Sequence, residues 1–218
     1  MRGLFDGDGS LSFKSKDGLA HTYPVLSYSS ISEPLMRQLQ EQLRRLGFVI
    51  PKRLWESDDG TLILAINGDK NYERWMNSIG FNNPKHLTKV VLYEKFGLMP
   101  RKTNLVERVK LIRGEIELSA MYPVDMMRVN NNRITEKKIL EALAEGENYI
   151  KELGRLSQLK EYCIVCTLRR LVKMGLAECV RYRRGRKKYY RVTQWGLSKL
   201  NRVETIAKRL REEFHLAV

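Results

Sequence analysis

Cysteine is scarce in this chain: Cys163, Cys166 and Cys179 are the only three in 218 residues. An odd, small number in a chain of this size excludes a disulfide framework, and a reducing, cytoplasmic setting is expected. Histidine is equally thin, with His21, His86 and His215 far apart. No paired histidines or second Cys-x-x-Cys stand beside Cys163 and Cys166 to complete a zinc site, and their spacing is that of i, i+3 neighbours on one helix. Long apolar runs are also missing. Residues 2–20 contain no continuous apolar stretch and no segment reaches the roughly 20 residues that span a bilayer, so neither a secretory leader nor membrane insertion is expected. With 43% hydrophobic and 30% charged residues the chain has the balance of a folded domain, and disorder is excluded as the dominant state.

Charge of one sign is unevenly spread. Residues 1–100 carry 13 Lys and Arg against 11 Asp and Glu, whereas residues 101–218 carry 27 against 14, which places +13 of the net +15 in the second half. Basic excess gathered in one half points to a polyanion partner, above all nucleic acid.

The first hundred residues alternate between two periodicities. Leu11 and Phe13 alternate with Ser10, Ser12 and Lys14, Lys16-Asp17-Gly18 has hairpin-turn chemistry, and Tyr23 to Ser29 forms the returning strand. Ser32 is an N-cap for a helix through Leu35, Leu39, Leu43 and Leu46, closed by Gly47. A second hairpin follows, Phe48 to Trp55 and Thr61 to Asn67, turning at Asp58-Asp59-Gly60. A helix carrying Tyr72, Trp75, Met76 and Ile79 comes next, and another after Pro84 runs from His86 to Phe96. The order αββαββα predicts an antiparallel α+β sheet over residues 1–100, with helices on one face and the other face open.

Residues 101–132 have the pattern of a helical connector, with Leu105, Val109, Ile112 and Ile116 at helical spacing interrupted by Gly114 and a break at Asn130-Asn131-Asn132. Residues 133–218 predict a helix capped by Thr135, short helices over 148–156 and 160–174, strands over 176–182 and 188–192, and a helix from Thr193 to about Phe214. Three helices, a hairpin and a trailing helix describe a winged helix-turn-helix, in which the third helix reads DNA bases in the major groove. In that helix Ile164, Leu168, Leu171 and Val172 form the expected core stripe, leaving Lys160, Tyr162, Cys163, Cys166, Thr167 and Arg170 outward. Lys160, Tyr162, Thr167 and Arg170 are the expected DNA contacts. The hairpin carries RYRRGRKKYYR over residues 181–191, with seven basic residues in eleven and no acid. Arg181, Arg183, Arg184, Arg186, Lys187 and Lys188 therefore form a wing suited to phosphates, with counterion release driving contact.

The opening residues carry chemistry of another kind. Met1-Arg2-Gly3-Leu4-Phe5-Asp6-Gly7-Asp8-Gly9 resembles the LAGLIDADG motif of homing endonucleases, matching at Gly3, both aspartates and Gly9. The resemblance extends over residues 1–97 through the element order and through IGFNNPKH, residues 79–86. It implies a Mg²⁺-dependent, site-specific double-stranded DNA endonuclease whose motif helices pack in pairs, Gly3 and Gly7 allowing close approach. Asp8 would be the catalytic metal ligand and Asp6 a capping or orienting residue. The open sheet face, with Ser10, Ser12, Lys14 and Lys16, would contact DNA, and Lys70 would be the basic helper of catalysis. A single motif implies a homodimer, and no small-molecule cofactor is expected. The alternative is a non-cleaving DNA-binding regulator on the same fold, since one regulator family of sporulating bacteria also joins such a region to a helix-turn-helix. A role in RNA intron maturation is a third reading.

Overall fold

The computed structural model describes residues 1–15, 21–100, 102–121, 131–146, 148–181, 188–216 and 218, leaving aside the side chains of 131, 132, 134 and 181. The expected hairpin turn with Lys16 and the expected basic wing turn with Arg183, Arg184, Arg186 and Lys187 lie outside the described residues, as does the Arg181 side chain. Two compact units divide the chain: Met1–Tyr93 with Leu98–Met121, and Glu94–Gly97 with Tyr122–Val218.

The first unit runs α1 (Arg2–Gly7), β1 (Ser10–Ser15), β2 (His21–Ser30), α2 (Glu33–Arg45), β3 (Trp55–Glu56), β4 (Leu62–Asn67), α3 (Asp69–Ser78), α4 (Pro84–Phe96, its last three residues counted in the second unit) and α5 (Leu105–Arg113). Its strands form an antiparallel sheet in the order β1-β2-β4-β3. Register puts Leu11 beside Leu26 and Ile66, and Tyr28 beside Leu64, so one face is apolar throughout and all five of these side chains are buried. Burying each contributes about 1.5–3 kcal/mol. Phe5 of α1 enters the same core, its ring centroid 4.4 Å from that of Trp75.

The expected long strand at residues 48–55 shrinks to Trp55–Glu56. Pro51 has no N–H to give a ladder. Side chains take over the neighbouring backbone groups: Asn71 accepts from Val49 N–H at 3.0 Å and donates to Val49 O at 2.7 Å, while Gln40 donates to Pro51 O at 2.7 Å. In α2 the buried stripe is Met36, Leu39, Gln40 and Leu43, and Leu46 stands exposed. In α5, Asn104 and Glu107 close a capping box and Gly114, at φ +79°, ends the helix, so Ile116 falls beyond it. The positive φ is what requires glycine there.

The second unit contains α6 (Asn131–Ala144), β5 (Asn148–Tyr149), α7 (Ile150–Ser157), α8 (Glu161–Met174), β6 (Ala177–Arg181), β7 (Lys188–Val192) and α9 (Gln194–Phe214). Its strands pair antiparallel in the order β5-β7-β6. The core gathers Ile139, Leu143, Leu153, Ile164, Leu168 and Leu171. Asn131 and Asn132 are already helical, so the helix starts before the expected cap at Thr135. Arg133 in that added turn is ion-paired with Glu94, which belongs to the same unit, at 3.0 Å. Tertiary contacts of this kind routinely override weak helix propensity.

Candidate functional site

The two aspartates of the opening motif have different surroundings. Asp6, in the last turn of α1, accepts the backbone N–H of Asn82 at 3.0 and 3.1 Å and that of Asn83 at 3.1 Å. Asn83 Nδ2 in turn donates to Asp6 O at 2.8 Å. Asp6 is thus an anchor for the segment entering α4. Asp8 is the residue that ends α1, its N–H donating to Leu4 O at 3.0 Å, and its side chain is exposed. Among the described residues no hydrogen bond or ion pair engages the Asp8 carboxylate.

Two more contacts hold α1 against the same segment. Arg2 Nε donates to Ile79 O, and His86 Nε2 donates to Phe5 O at 3.1 Å. Burial, then the charges of Lys85 and Lys89, push His86 down to about 4, so near neutral pH it is an uncharged donor. Its Nδ1 is buried without a partner among the described residues.

A glycine separates the two faces of α1. A Cβ at Gly9 would lie 2.5 Å from Phe5 Cα, so the chain leaves α1 against its own backbone and only glycine fits. At Gly3 and Gly7 an added Cβ meets nothing within 4 Å. Both glycines therefore present open backbone on the exposed side of the helix.

Beyond Gly9 the sheet register builds the open face. Ser10 lies opposite Ser27 and then Ala65; Ser12 lies opposite Val25 and then Asn67; Lys14 lies opposite Tyr23. Ser29, Ile63 and Trp55 make a further row. Lys14 is exposed, whereas Ser10 and Ser12 are half-buried, Ser10 receiving a hydrogen bond from Ser27 at 3.4 Å. Trp55 is 64% exposed and follows exposed Lys52 and Arg53. The sequence pattern does not single these three out, because residues 48–55 read as an ordinary hairpin strand.

Residues 1–80 match the family model of a LAGLIDADG-like domain. The match runs from α1 to the glycine that follows α3. It points to homing endonucleases and DNA-binding proteins related to them. No curated protein matches the chain. Within the matched residues, Lys70 is exposed in the first turn of α3, beside Asp69, which accepts from Tyr93 Oη at 2.9 Å. Lys85 is exposed between Asn83 and His86, both of which bind α1. Among the described residues no group of three His, Cys, Asp or Glu side chains is arranged to hold a metal.

In the second unit, α8 turns differently from the expected stripe. Thr167 is buried with Ile164, Leu168, Leu171 and Met174, while Val172 is exposed. The spacing 164, 167, 168, 171, 174 keeps one face inward more closely than a stripe ending at 172. Thr167 therefore does not face outward, and Arg170 is ion-paired with buried Glu136 at 2.7 Å. The exposed stripe is Tyr162, Cys166, Arg169 and Lys173, with Cys163 alongside. A hydrogen bond with Cys166 raises the Tyr162 phenol. Lys160, at the N-cap, and Lys188, opening β7, are both exposed. Arg169 escapes the sequence pattern because hydropathy alone sets the register of α8 one step off.

No helix among the described residues is long and apolar enough to cross a membrane.

Proposed function

We propose that this chain is a LAGLIDADG-type, Mg²⁺-dependent, site-specific double-stranded DNA endonuclease that works as a homodimer, its second unit a winged helix-turn-helix that adds DNA contacts. The observation that carries the reading is Asp8: an exposed, unengaged carboxylate at the end of a helix whose Gly3 and Gly7 side is open. Two such helices meeting through these glycines bring one Asp8 from each copy to the base of the interface. The donor fits the ion, since hard carboxylate oxygens suit Mg²⁺. Mg²⁺ bound there would activate water and stabilise the leaving oxygen in phosphodiester hydrolysis.

The chain's own residues do the rest. Asp6, Arg2 and His86 fix the angle at which α1 presents Asp8. Ser10, Ser12, Lys14, Ser27, Ser29 and Asn67 offer polar groups to a groove, with the aromatics Tyr23 and Trp55 beside them and Val25, Ala65 and Ile63 in the same rows. Lys70, or Lys85 on the segment bound to α1, supplies a cation for the charge that develops at phosphorus. In the second unit Tyr162, Arg169 and Lys173 enter the major groove and the basic wing, with Arg181 and Lys188 at its base, follows phosphates.

The test is a selection of duplexes bound from a random pool in Ca²⁺, followed by incubation of the winners in Mg²⁺. Defined double-strand ends that vanish with Asp8→Asn, with affinity retained, support the nuclease. Tight specific binding without a cut assigns the chain to DNA-binding regulation on this fold.

A further inference from the structure

An open pocket of about 440 Å³ is cut into the surface of the first unit, against the outer edge of β1. Its apolar wall includes Leu11, Met99 and Pro100, and its polar side includes Lys89, Lys102 and His21. No Asp or Glu lines it among the described residues. Ligand sites of this kind, mostly apolar with a few converging polar groups, run from about 300 to 1,000 Å³.

Among the described residues, Lys89 and Arg108 donate to neutral acceptors. Lys89 Nζ donates to Leu11 O at 2.7 Å, which leaves two of its three N–H groups without a partner among the described residues. Arg108, 5% exposed, donates to Thr88 Oγ1 and to Thr103 O. Glu107 offsets part of the Arg108 charge, but its carboxylate accepts from Asn104 N–H in the helix cap. Burial, then Arg108 and Lys85, pull the Lys89 ammonium down to about 8. That is the position of a cation held in partly desolvated surroundings with no counter-ion among the described residues. His21 donates Nδ1–H to Phe13 O at 2.6 Å, which makes its other nitrogen an acceptor while the ring is neutral.

We propose that this pocket binds a phosphoryl group, with Lys89 and Lys102 as its cationic contacts and the apolar wall holding the organic body attached to it. The group belongs either to a small phosphate monoester or to the backbone of bound DNA. The site is distinct from Asp8 and does not depend on cleavage.

Isothermal titration of the full chain with adenosine 5′-monophosphate, adenosine and inorganic phosphate tests it. The expected result is saturable binding of the monophosphate, no binding of adenosine, and affinity weakened at least about tenfold by Lys89→Met and by Lys102→Glu. Lys102 is exposed, so its variant retains the fold, which near-ultraviolet circular dichroism checks. Absence of saturable monophosphate binding up to about 1 mM, equal binding of adenosine, or undiminished binding by a folded Lys102→Glu overturns the proposal. Displacement of the monophosphate by a saturating duplex identifies the DNA backbone as the natural source; independent binding of both identifies a small phosphate monoester.

Discussion

His86 donates its Nε2–H to the carbonyl oxygen of Phe5 at 3.1 Å, joining the first turn of α4 to α1. Burial makes a charged ring costly at this place, so the bond ties the position of Asp8 to a group that titrates.

Acid should loosen this unit. His86 is depressed to about 4 when folded, against 6.5 in the unfolded chain, so between these values the unfolded state binds more protons. Its contribution is complete above pH 6.5 and is lost as pH falls toward 4, by about 2 kcal/mol between pH 7 and pH 5. Urea midpoints at the two pH values measure this. His86→Gln should flatten that part of the profile, and an unchanged slope would remove His86 as its source.

The two aspartates should separate cleanly. Asp6→Ala leaves the Asn82 and Asn83 N–H groups without their charged acceptor and should cost about 2 kcal/mol of stability. Asp8→Asn touches no such bond and should leave the melting temperature within about 1 °C while abolishing any cleavage. Equal destabilisation by both would contradict the division of roles.

The glycines should divide in the same way. Gly9→Ala drives a methyl into Phe5 Cα and should destabilise the monomer by more than about 2 kcal/mol. Gly3→Ala and Gly7→Ala meet open space and should each stabilise an isolated α1 by up to about 1 kcal/mol. If this side of α1 is the dimer surface, the same two variants should shift sedimentation equilibrium toward monomer.

Cys163 and Cys166 are native reporters for the exposed face of α8. Specific duplex DNA should slow their alkylation by maleimide while leaving Cys179 less affected, and Tyr162→Ala should weaken binding. Thr167→Val should leave DNA affinity unchanged, because Thr167 is buried in the core. Neutralising Arg183, Arg184, Arg186 and Lys187 should reduce the slope of log K against log salt by about 0.9 for each phosphate that the wing no longer neutralises.

Much of the first unit was legible because its signals are local. Alternation in Ser10–Ser15, the Asp58-Asp59-Gly60 turn and the extent of α2 depend only on neighbours along the chain, and each formed near its expected place. The strand at 48–55 failed because its fate was decided by Asn71 and Gln40, residues distant in sequence whose side chains replaced the ladder. In α8 the apolar residues fixed that one face is buried, yet Thr167 and Val172 exchanged places. A rotation of a fraction of a turn is set by the partners α6 and α7, and hydropathy along the helix does not encode it.

The sequence by itself determined the chemistry available: two carboxylates among glycines, a basic second half, and the residues able to form an open polar face. The resemblance of the motif already implied that Asp6 orients and Asp8 does not; only the tertiary structure decided which groups engage Asp6 and that none among the described residues engages Asp8. The segment around Asn82 comes back to α1 from 76 residues away in the chain, and its amide groups select Asp6. Motif spacing cannot name those partners, because they depend on which backbone N–H groups the fold leaves without other partners.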